Sequence, residues 1–135
     1  MKKIFVLCFL VLSMSCSVDN DATEFNLEVL PIDSVDIPTE FTLGETYPIT
    51  VSYLRPSTCH SFKNFYYYKE NNQRTVAPIT YVFKANNCEI IENVLVEATF
   101  NFNVTSNGSY IFKFWQGEDE NGDPIYLTIE VPVIE

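Results

Sequence analysis

The sequence predicts an all-β protein, an antiparallel sandwich of about eight strands. Apolar and polar residues alternate over several segments, which is typical of strands with one buried face and one solvent-exposed face. No segment has a clear 3.6-residue period, so helices should be nearly absent. Asn-Asn and Asn-Gly pairs separate the segments, and such pairs tolerate the positive φ angles of tight turns.

Five segments alternate cleanly and are predicted strands with one buried face. In chain order they are residues 25–29, 47–53, 94–104, 110–114 and 125–133. They are distributed along a domain predicted to cover residues 23–135, a size that one hydrophobic core can support.

Two further strands are less regular. Residues 61–69 (SFKNFYYYK) are aromatic in both phases of the alternation. Residues 75–84 alternate through Ala77, Ile79, Tyr81 and Phe83, with Pro78 on the opposite phase. Because proline has no amide hydrogen to donate to a neighbouring strand, the sequence predicts that this strand lies at a sheet edge.

Residues 106–112 (SNGSYIF) resemble the D-x-G-x-Y-x-C segment that enters strand F of immunoglobulin-like domains. Tyr110 falls at the tyrosine-corner position, where the hydroxyl bonds to backbone upstream. Ser106 and Phe112 replace the family's Asp and Cys, and Trp115 lies on the F-like strand instead of strand C. The resemblance implies an immunoglobulin-like sandwich that is not of the antibody type, and it implies nothing about a ligand.

The N-terminal segment has the features of an export signal. Lys2 and Lys3 precede an apolar run over residues 4–12. This run has about half of the roughly 20 apolar residues that a spanning helix needs. A basic start, a short apolar run and small residues after it predict a secretory signal peptide over residues 1–15.

Residues 13–16 (SMSC) resemble the lipobox of bacterial lipoproteins, which implies that Cys16 carries a diacylglyceryl group. Residues 16–22 would then form a lipidated tether. Ser17, Asp19 and Asp21 resemble the acidic export signal of Bacteroidota-type lipoproteins. This second resemblance implies an outer-membrane lipoprotein on the cell surface; a plain spacer on a periplasmic protein is the alternative.

The remaining cysteines predict a disulfide. Cys8 would leave with the signal peptide and Cys16 would carry lipid, so Cys59 and Cys88 remain in an oxidising compartment and should pair. A zinc site at Cys59 and His60 is the competing interpretation. It lacks ligands, because a structural zinc ion takes about four and His60 is the only histidine.

The charge of the chain excludes one class of partner. There are 18 acidic residues and eight lysines and arginines, and removal of residues 1–15 would leave six basic residues and a net charge of −12. Such a surface repels nucleic acid phosphates, so no nucleic acid partner is expected. It would also repel anionic headgroups, so the membrane should be reached through the N-terminal lipid alone.

The sequence carries no recognisable catalytic motif. There is no Gly-rich phosphate loop, no serine nucleophile elbow and no HExxH zinc motif. We therefore expect a protein that is not an enzyme and has no cofactor, and we expect His60 to lie in a surface loop.

The loop over residues 117–123 (GEDENGD) offers alternate oxygen ligands at Asp119, Asn121 and Asp123. These residues form a weak candidate for calcium. The loop lacks the glycine and the distal glutamate of an EF-hand, so a hairpin with solvated acids explains it equally well.

The aromatic run Phe65, Tyr66, Tyr67 and Tyr68 has two interpretations. Neighbouring residues of a strand face opposite ways, so one aromatic row must be covered by another strand or exposed. An exposed row would be a platform on which a sugar or a partner protein stacks.

Residues 33–35 (DSV) resemble the Asp-Ser/Thr-aliphatic sequon at which Bacteroidota-type exported proteins are O-glycosylated. Ser34 would be the acceptor. Pro31 and Pro38 flank it, which favours exposure without regular pairing. A simple turn serine is the alternative.

Two functions are compatible with the sequence. The first is an envelope-anchored, non-catalytic module that binds a glycan or a protein partner. The second is a small envelope inhibitor of a lysozyme-like or proteolytic enzyme, since an acidic, disulfide-linked domain suits a basic enzyme.

We predict that Cys16 is diacylated in the native host, because it follows a basic start, a short apolar run and small residues. Labelled palmitate should enter the wild-type protein and not Cys16→Ala. Cys8→Ala is the matched control and should label normally. Wild-type protein that takes up no label would contradict the assignment.

Overall fold

The structure is a computed structural model, and it describes residues 23–135. The predicted signal peptide, Cys16 and the tether lie outside the described residues. Residues 23–135 form nine strands and no helix, so this range contains no helix that could span a bilayer. The strands are β1 (Phe25–Val29), β2 (Ile32–Asp36), β3 (Phe41–Thr42), β4 (Thr46–Leu54), β5 (His60–Glu70), β6 (Gln73–Phe83), β7 (Leu95–Asn103), β8 (Ser109–Glu118) and β9 (Pro124–Ile134).

The strands form two sheets. The smaller has the order β2-β4-β7 and is antiparallel throughout. The larger has the order β1-β6-β8-β9-β3, and β5 pairs with β6 along its other edge. Strands β1 and β8 share one edge of β6, where β1 pairs with residues 79–83 and β8 with residues 73–76.

The predicted all-β sandwich is confirmed, with nine strands in place of about eight. The expectation of purely antiparallel pairing is wrong for two pairs, because β3–β9 and β6–β8 are parallel. Parallel neighbours need a crossover connection, and here β7, in the opposite sheet, provides the crossover between β6 and β8.

The prediction that Pro78 marks an edge strand is also wrong. Strand β6 has partners on both sides, and the Pro78 ring is fully buried. Pairing with β1 begins at Ile79 and pairing with β8 ends at Val76, so Pro78 lies opposite the gap between them. Its carbonyl accepts a hydrogen bond from Leu30 on this side. Its missing amide hydrogen therefore faces a place where no ladder partner is required.

The buried phase of β6 is the opposite of the predicted one. Val76, Pro78 and Thr80 face the core, whereas the more apolar row of Ile79, Tyr81 and Phe83 lies on the outer face. There Phe25 of β1 contacts the rings of Tyr81 and Phe83 at 4.8 and 6.1 Å. Because the outer face of the larger sheet is also apolar near β1, hydrophobicity alone selects the wrong face.

The core fills the space between the sheets with side chains from the inward phases. On the smaller sheet, Ile49 is paired with Phe100 and Val51 with Ala98. On the larger, the fully buried rings of Phe112 and Phe114 stack at 5.8 Å. The clean alternation in β4, β7 and β8 thus identified the buried faces of these strands.

The tyrosine corner predicted at Tyr110 is present. Its hydroxyl accepts hydrogen bonds from the amides of Thr105 and Ser106, at 3.3 and 3.0 Å. Burial alone would raise the pKa of Tyr110, but these hydrogen bonds outweigh it and lower the pKa below its ordinary value. The corner fixes the connection between β7 and β8 against the core.

The predicted disulfide joins Cys59 and Cys88, whose Cα atoms are 5.4 Å apart. It links the start of β5 to the irregular connection between β6 and β7. The two cysteines are separated by 29 residues, and a loop of that size is worth about 3–4 kcal/mol in the chain-entropy model. An isolated antiparallel β-bridge between Ser57 and Ile90 connects the same two segments.

Tyr110→Phe should lower the free energy of unfolding by about 1–3 kcal/mol, because two backbone amides lose their acceptor. Urea denaturation of the purified protein measures the change. Tyr68→Phe is the matched control: its hydroxyl is on an exposed side chain, and the expected change is within about 0.5 kcal/mol. Equal stability of the two variants would show that the corner does not hold the connection.

Candidate binding site

The aromatic run of β5 divides between the two faces of the strand. Phe65 and Tyr67 face the smaller sheet, where their rings lie 5.1 and 5.9 Å from that of Phe100. Tyr66 and Tyr68 have the opposite phase and lie on the outer face of the larger sheet. Phe65 is partly covered, while the three tyrosines are 43–51% exposed. Each of the two interpretations of this run therefore describes part of it.

A groove lies between the free edges of the two sheets. Among residues 23–135, strand β5 pairs only with β6 and β7 pairs only with β4, so within this range both strands present an unpaired edge on the same side of the sandwich. The groove has a volume of about 450 Å³. Its lining combines aromatic, cationic and amide side chains: Phe65, Tyr67, Lys69, Arg74, Phe100, Asn101, Phe102, Asn103 and Thr105.

Arg74 is the most unusual residue of the groove. It occupies an inward position of β6 and is 5% exposed. Its guanidinium lies 5.9 Å from the ring centre of Phe102 and 5.2 Å from that of Tyr110. Nη1 donates hydrogen bonds to the carbonyls of Asn71 and Gln73, at 2.8 and 2.9 Å. Two aromatic faces and the β5–β6 turn thus hold the guanidinium rigidly.

The buried guanidinium has no acidic partner within residues 23–135. The ion pairs in this range are His60–Glu28 and Lys84–Glu24, and neither includes Arg74. Lys69, which is paired with Arg74 across the β5–β6 ladder, is a second cation on the groove wall. A buried charge without a counterion is costly, so an anion or a strong hydrogen-bond acceptor placed beside this guanidinium would be stabilised.

The side chain of Tyr67 lies close to the positive charge of Arg74. Burial raises the pKa of its hydroxyl above the ordinary value, although the positive charge of Arg74 acts in the opposite direction. The phenol is therefore neutral at physiological pH and can donate a hydrogen bond to a ligand while its ring remains partly exposed.

The outer face of the larger sheet has a second, smaller depression of about 300 Å³. Tyr66, Trp115 and Tyr126 surround the small side chain of Ala77 there. The amine of Lys113 lies 4.5 Å from the ring centre of Tyr126. The sequence did not identify this surface, because Tyr66, Ala77, Trp115 and Tyr126 come from four strands whose order in the sheet depends on a parallel pairing.

His60 is not the surface loop residue that the sequence suggested. It begins β5, is 8% exposed, and bonds through Nδ1 to the Ser57 hydroxyl at 2.7 Å and through Nε2 to the Glu28 carboxylate at 2.8 Å. Ser57 also accepts a hydrogen bond from the Cys59 amide. The adjacent cavity of about 250 Å³ is lined by His60 and not by Ser57. This arrangement fastens β1 to the disulfide loop.

Ser34 is exposed on β2, an edge strand of the smaller sheet. It pairs with Ser52 next to an irregularity in the register. The expectation of a segment without regular pairing is therefore wrong, while the expected exposure is found. Modification of Ser34 stays a prediction.

The loop considered for calcium is organised by its own backbone. One carboxylate oxygen of Asp119 accepts hydrogen bonds from the amides of Asn121 and Asp123, at 2.8 and 3.0 Å. Gly122 has a φ of 82°, which favours glycine in this hairpin turn. Over the part of the chain that the structure describes, no three histidine, cysteine or acidic side chains are grouped closely enough to hold a metal ion.

Comparison with protein-family models, with curated proteins and with solved structures finds no match to this chain. The functional conclusion therefore rests on the geometry of the chain's own residues.

Arg74→Met should change the free energy of unfolding by less than about 2 kcal/mol. Removal of an unpaired buried charge recovers its desolvation cost, which offsets the lost hydrogen bonds and ring contacts. Urea denaturation measures the difference. A much larger loss would mean that the guanidinium is required for folding and is not held in place for a ligand.

Proposed function

We propose that this chain is an envelope-anchored, non-catalytic lipoprotein that holds a glycan in the groove between β5 and β7. The observation that carries the proposal is the groove itself. It places the rings of Phe65, Tyr67 and Phe100 next to a buried guanidinium that has no acidic partner in the described range.

The lining suits a sugar better than a purely apolar ligand. The faces of a sugar ring carry C–H groups that pack on aromatic rings, and its hydroxyls need planar, directional hydrogen-bond partners. Asn101, Asn103 and Arg74 supply amide and guanidinium groups around the exposed Tyr67 ring. The groove is open, so an oligosaccharide could pass along it.

The position of the groove supports a role facing away from a membrane. Residue 24 lies beside Lys84, at the far end of β6 from the β5–β6 turn. Arg74 and Phe83 are nine residues apart on β6, which is roughly 30 Å of extended strand. A lipid on Cys16 would attach the protein at one end of the sandwich and leave the groove near the other.

Export and anchoring complete the proposal. The basic start, the short apolar run and the lipobox-like residues 13–16 support a lipid on Cys16, and the acidic residues of the tether support the outer membrane and the cell surface. The exposure of Ser34 supports O-glycosylation at this position in the same compartment.

A second candidate is inhibition of a lysozyme-like or proteolytic enzyme. The observation in its favour is the exposed acidic turn between β8 and β9, where Glu118, Asp119, Glu120 and Asp123 are close in the chain. A basic enzyme would be attracted to this turn. The groove lining has the opposite charge, so the two candidates use different surfaces and can be tested separately.

Tyr67→Ala should weaken glycan binding by about fivefold to thirtyfold, because a ring stacked on a sugar contributes on the order of 1–2 kcal/mol. Calorimetric titration of the purified protein with a panel of neutral and acidic oligosaccharides measures the affinity.

The matched control is Tyr68→Ala, which removes the neighbouring ring from the opposite face of β5. It should leave the affinity within about twofold of the wild type. Equal losses in the two variants, or no binding of any oligosaccharide by the wild type, would contradict a glycan site in the groove.

A further inference from the structure

We propose that the bound glycan is acidic, with the carboxylate of a uronic acid residue on the guanidinium of Arg74. This inference rests on the proposed function and specifies its ligand class. It follows from the charge of the groove, from the atoms of Arg74 that are available and from the burial of that side chain.

The charge of the groove is opposite to that of the chain. Acidic residues outnumber lysines and arginines by 18 to eight in the sequence. Among the residues that the structure describes, the groove lining nevertheless contains Lys69 and Arg74 and no aspartate or glutamate. Binding of a neutral sugar would not require a positive groove on a negatively charged protein. An anionic sugar would be repelled from most other parts of the surface and attracted to the groove.

The guanidinium has one edge for the protein and one for a ligand. Both hydrogen bonds to the turn, at Asn71 and Gln73, come from Nη1. Arg74 also lies within hydrogen-bond reach of the Tyr67 hydroxyl. The edge formed by Nε and Nη2 makes no hydrogen bond to the turn, and its two parallel N–H groups match the two oxygens of a carboxylate that would share or displace the Tyr67 contact. The rings of Phe102 and Tyr110 and the turn fix the orientation of this edge before a ligand arrives.

Burial makes the charge pair effective. Arg74 is 5% exposed, so a carboxylate that reaches it is screened less by water and salt than one on a surface lysine. The ligand would supply the counterion that the guanidinium lacks among residues 23–135. The hydroxyl of Tyr67 can donate a hydrogen bond to the ligand's carboxylate or to a neighbouring sugar oxygen.

The test compares a tetragalacturonate with its fully methyl-esterified form, with full-length protein purified in detergent. The two ligands share a sugar backbone and differ in charge. We expect the acid to bind at least about tenfold more tightly than the ester, because hydrogen bonds between two charged groups are stronger than those to a neutral ester. Tetraglucuronate and tetramannuronate extend the comparison to other uronic acids.

Two variants assign the preference to Arg74. Arg74→Met should lower the affinity for the acid to that for the ester, while Lys113→Met, which removes a cation from the outer face, should leave the ratio unchanged. Affinity for the ester that persists in Arg74→Met would also show that the variant is folded.

The outcomes separate this inference from the function on which it rests. Acid and ester bound equally, or neutral oligosaccharides bound in preference, would overturn the acidic ligand and leave a glycan site in place. No binding of any oligosaccharide would overturn both proposals. An acid preference that survives Arg74→Met would overturn the assignment to Arg74.

Discussion

The guanidinium of Arg74 connects the parts of this structure that matter most for function. It lies between the rings of Phe102 and Tyr110, and it bonds to the carbonyls of the β5–β6 turn. The hydroxyl of Tyr110 in turn accepts hydrogen bonds from the backbone amides of Thr105 and Ser106, which lie beside the groove. One buried cation therefore links the core, the tyrosine corner, the hairpin turn and the groove wall. A change in the position of any of these elements would move the others.

Such a cation has a cost that stability alone does not justify. Its desolvation is opposed by two hydrogen bonds and two ring contacts, and no carboxylate among residues 23–135 neutralises it. A methionine at this position would pack against the same rings without the charge. Charged groups whose burial costs stability are common at binding sites, where stability is exchanged for function. The groove beside Arg74 is the part of the molecule that could use this charge.

Much of the fold could be predicted from the sequence, because alternation is a direct consequence of half-buried strands. Local sequence patterns predicted the inward faces of β4, β7 and β8 and the tyrosine corner at Tyr110. The number and positions of the cysteines predicted the disulfide between Cys59 and Cys88. Strand β6 shows the limit of this reasoning. Its more apolar phase is the outer one, and Pro78 is tolerated in its centre because two different strands share one edge.

The site was less predictable for the same reason. The aromatic run of β5 was visible in the sequence, but Phe100 and Arg74 join it only because the free edges of two sheets lie on the same side of the sandwich. A sequence signal for Arg74 did exist: a charged residue occupies the same phase as Val76 and Pro78. Once that phase is recognised as the buried one, Arg74 becomes a buried charge that needs explanation. His60 was missed because its partner Glu28 is distant in the chain.

A nuclear magnetic resonance titration tests most directly whether a ligand binds in the groove and not on the outer aromatic face. With ¹⁵N-labelled protein and a tetragalacturonate, the side-chain signal of Arg74 Nε–H and the amide groups of Asn101 and Asn103 should shift together with the backbone around Tyr67. The indole signal of Trp115, the only tryptophan, should stay in place. Shifts confined to Trp115 and its neighbours, with Arg74 unchanged, would contradict a binding groove built around the buried guanidinium.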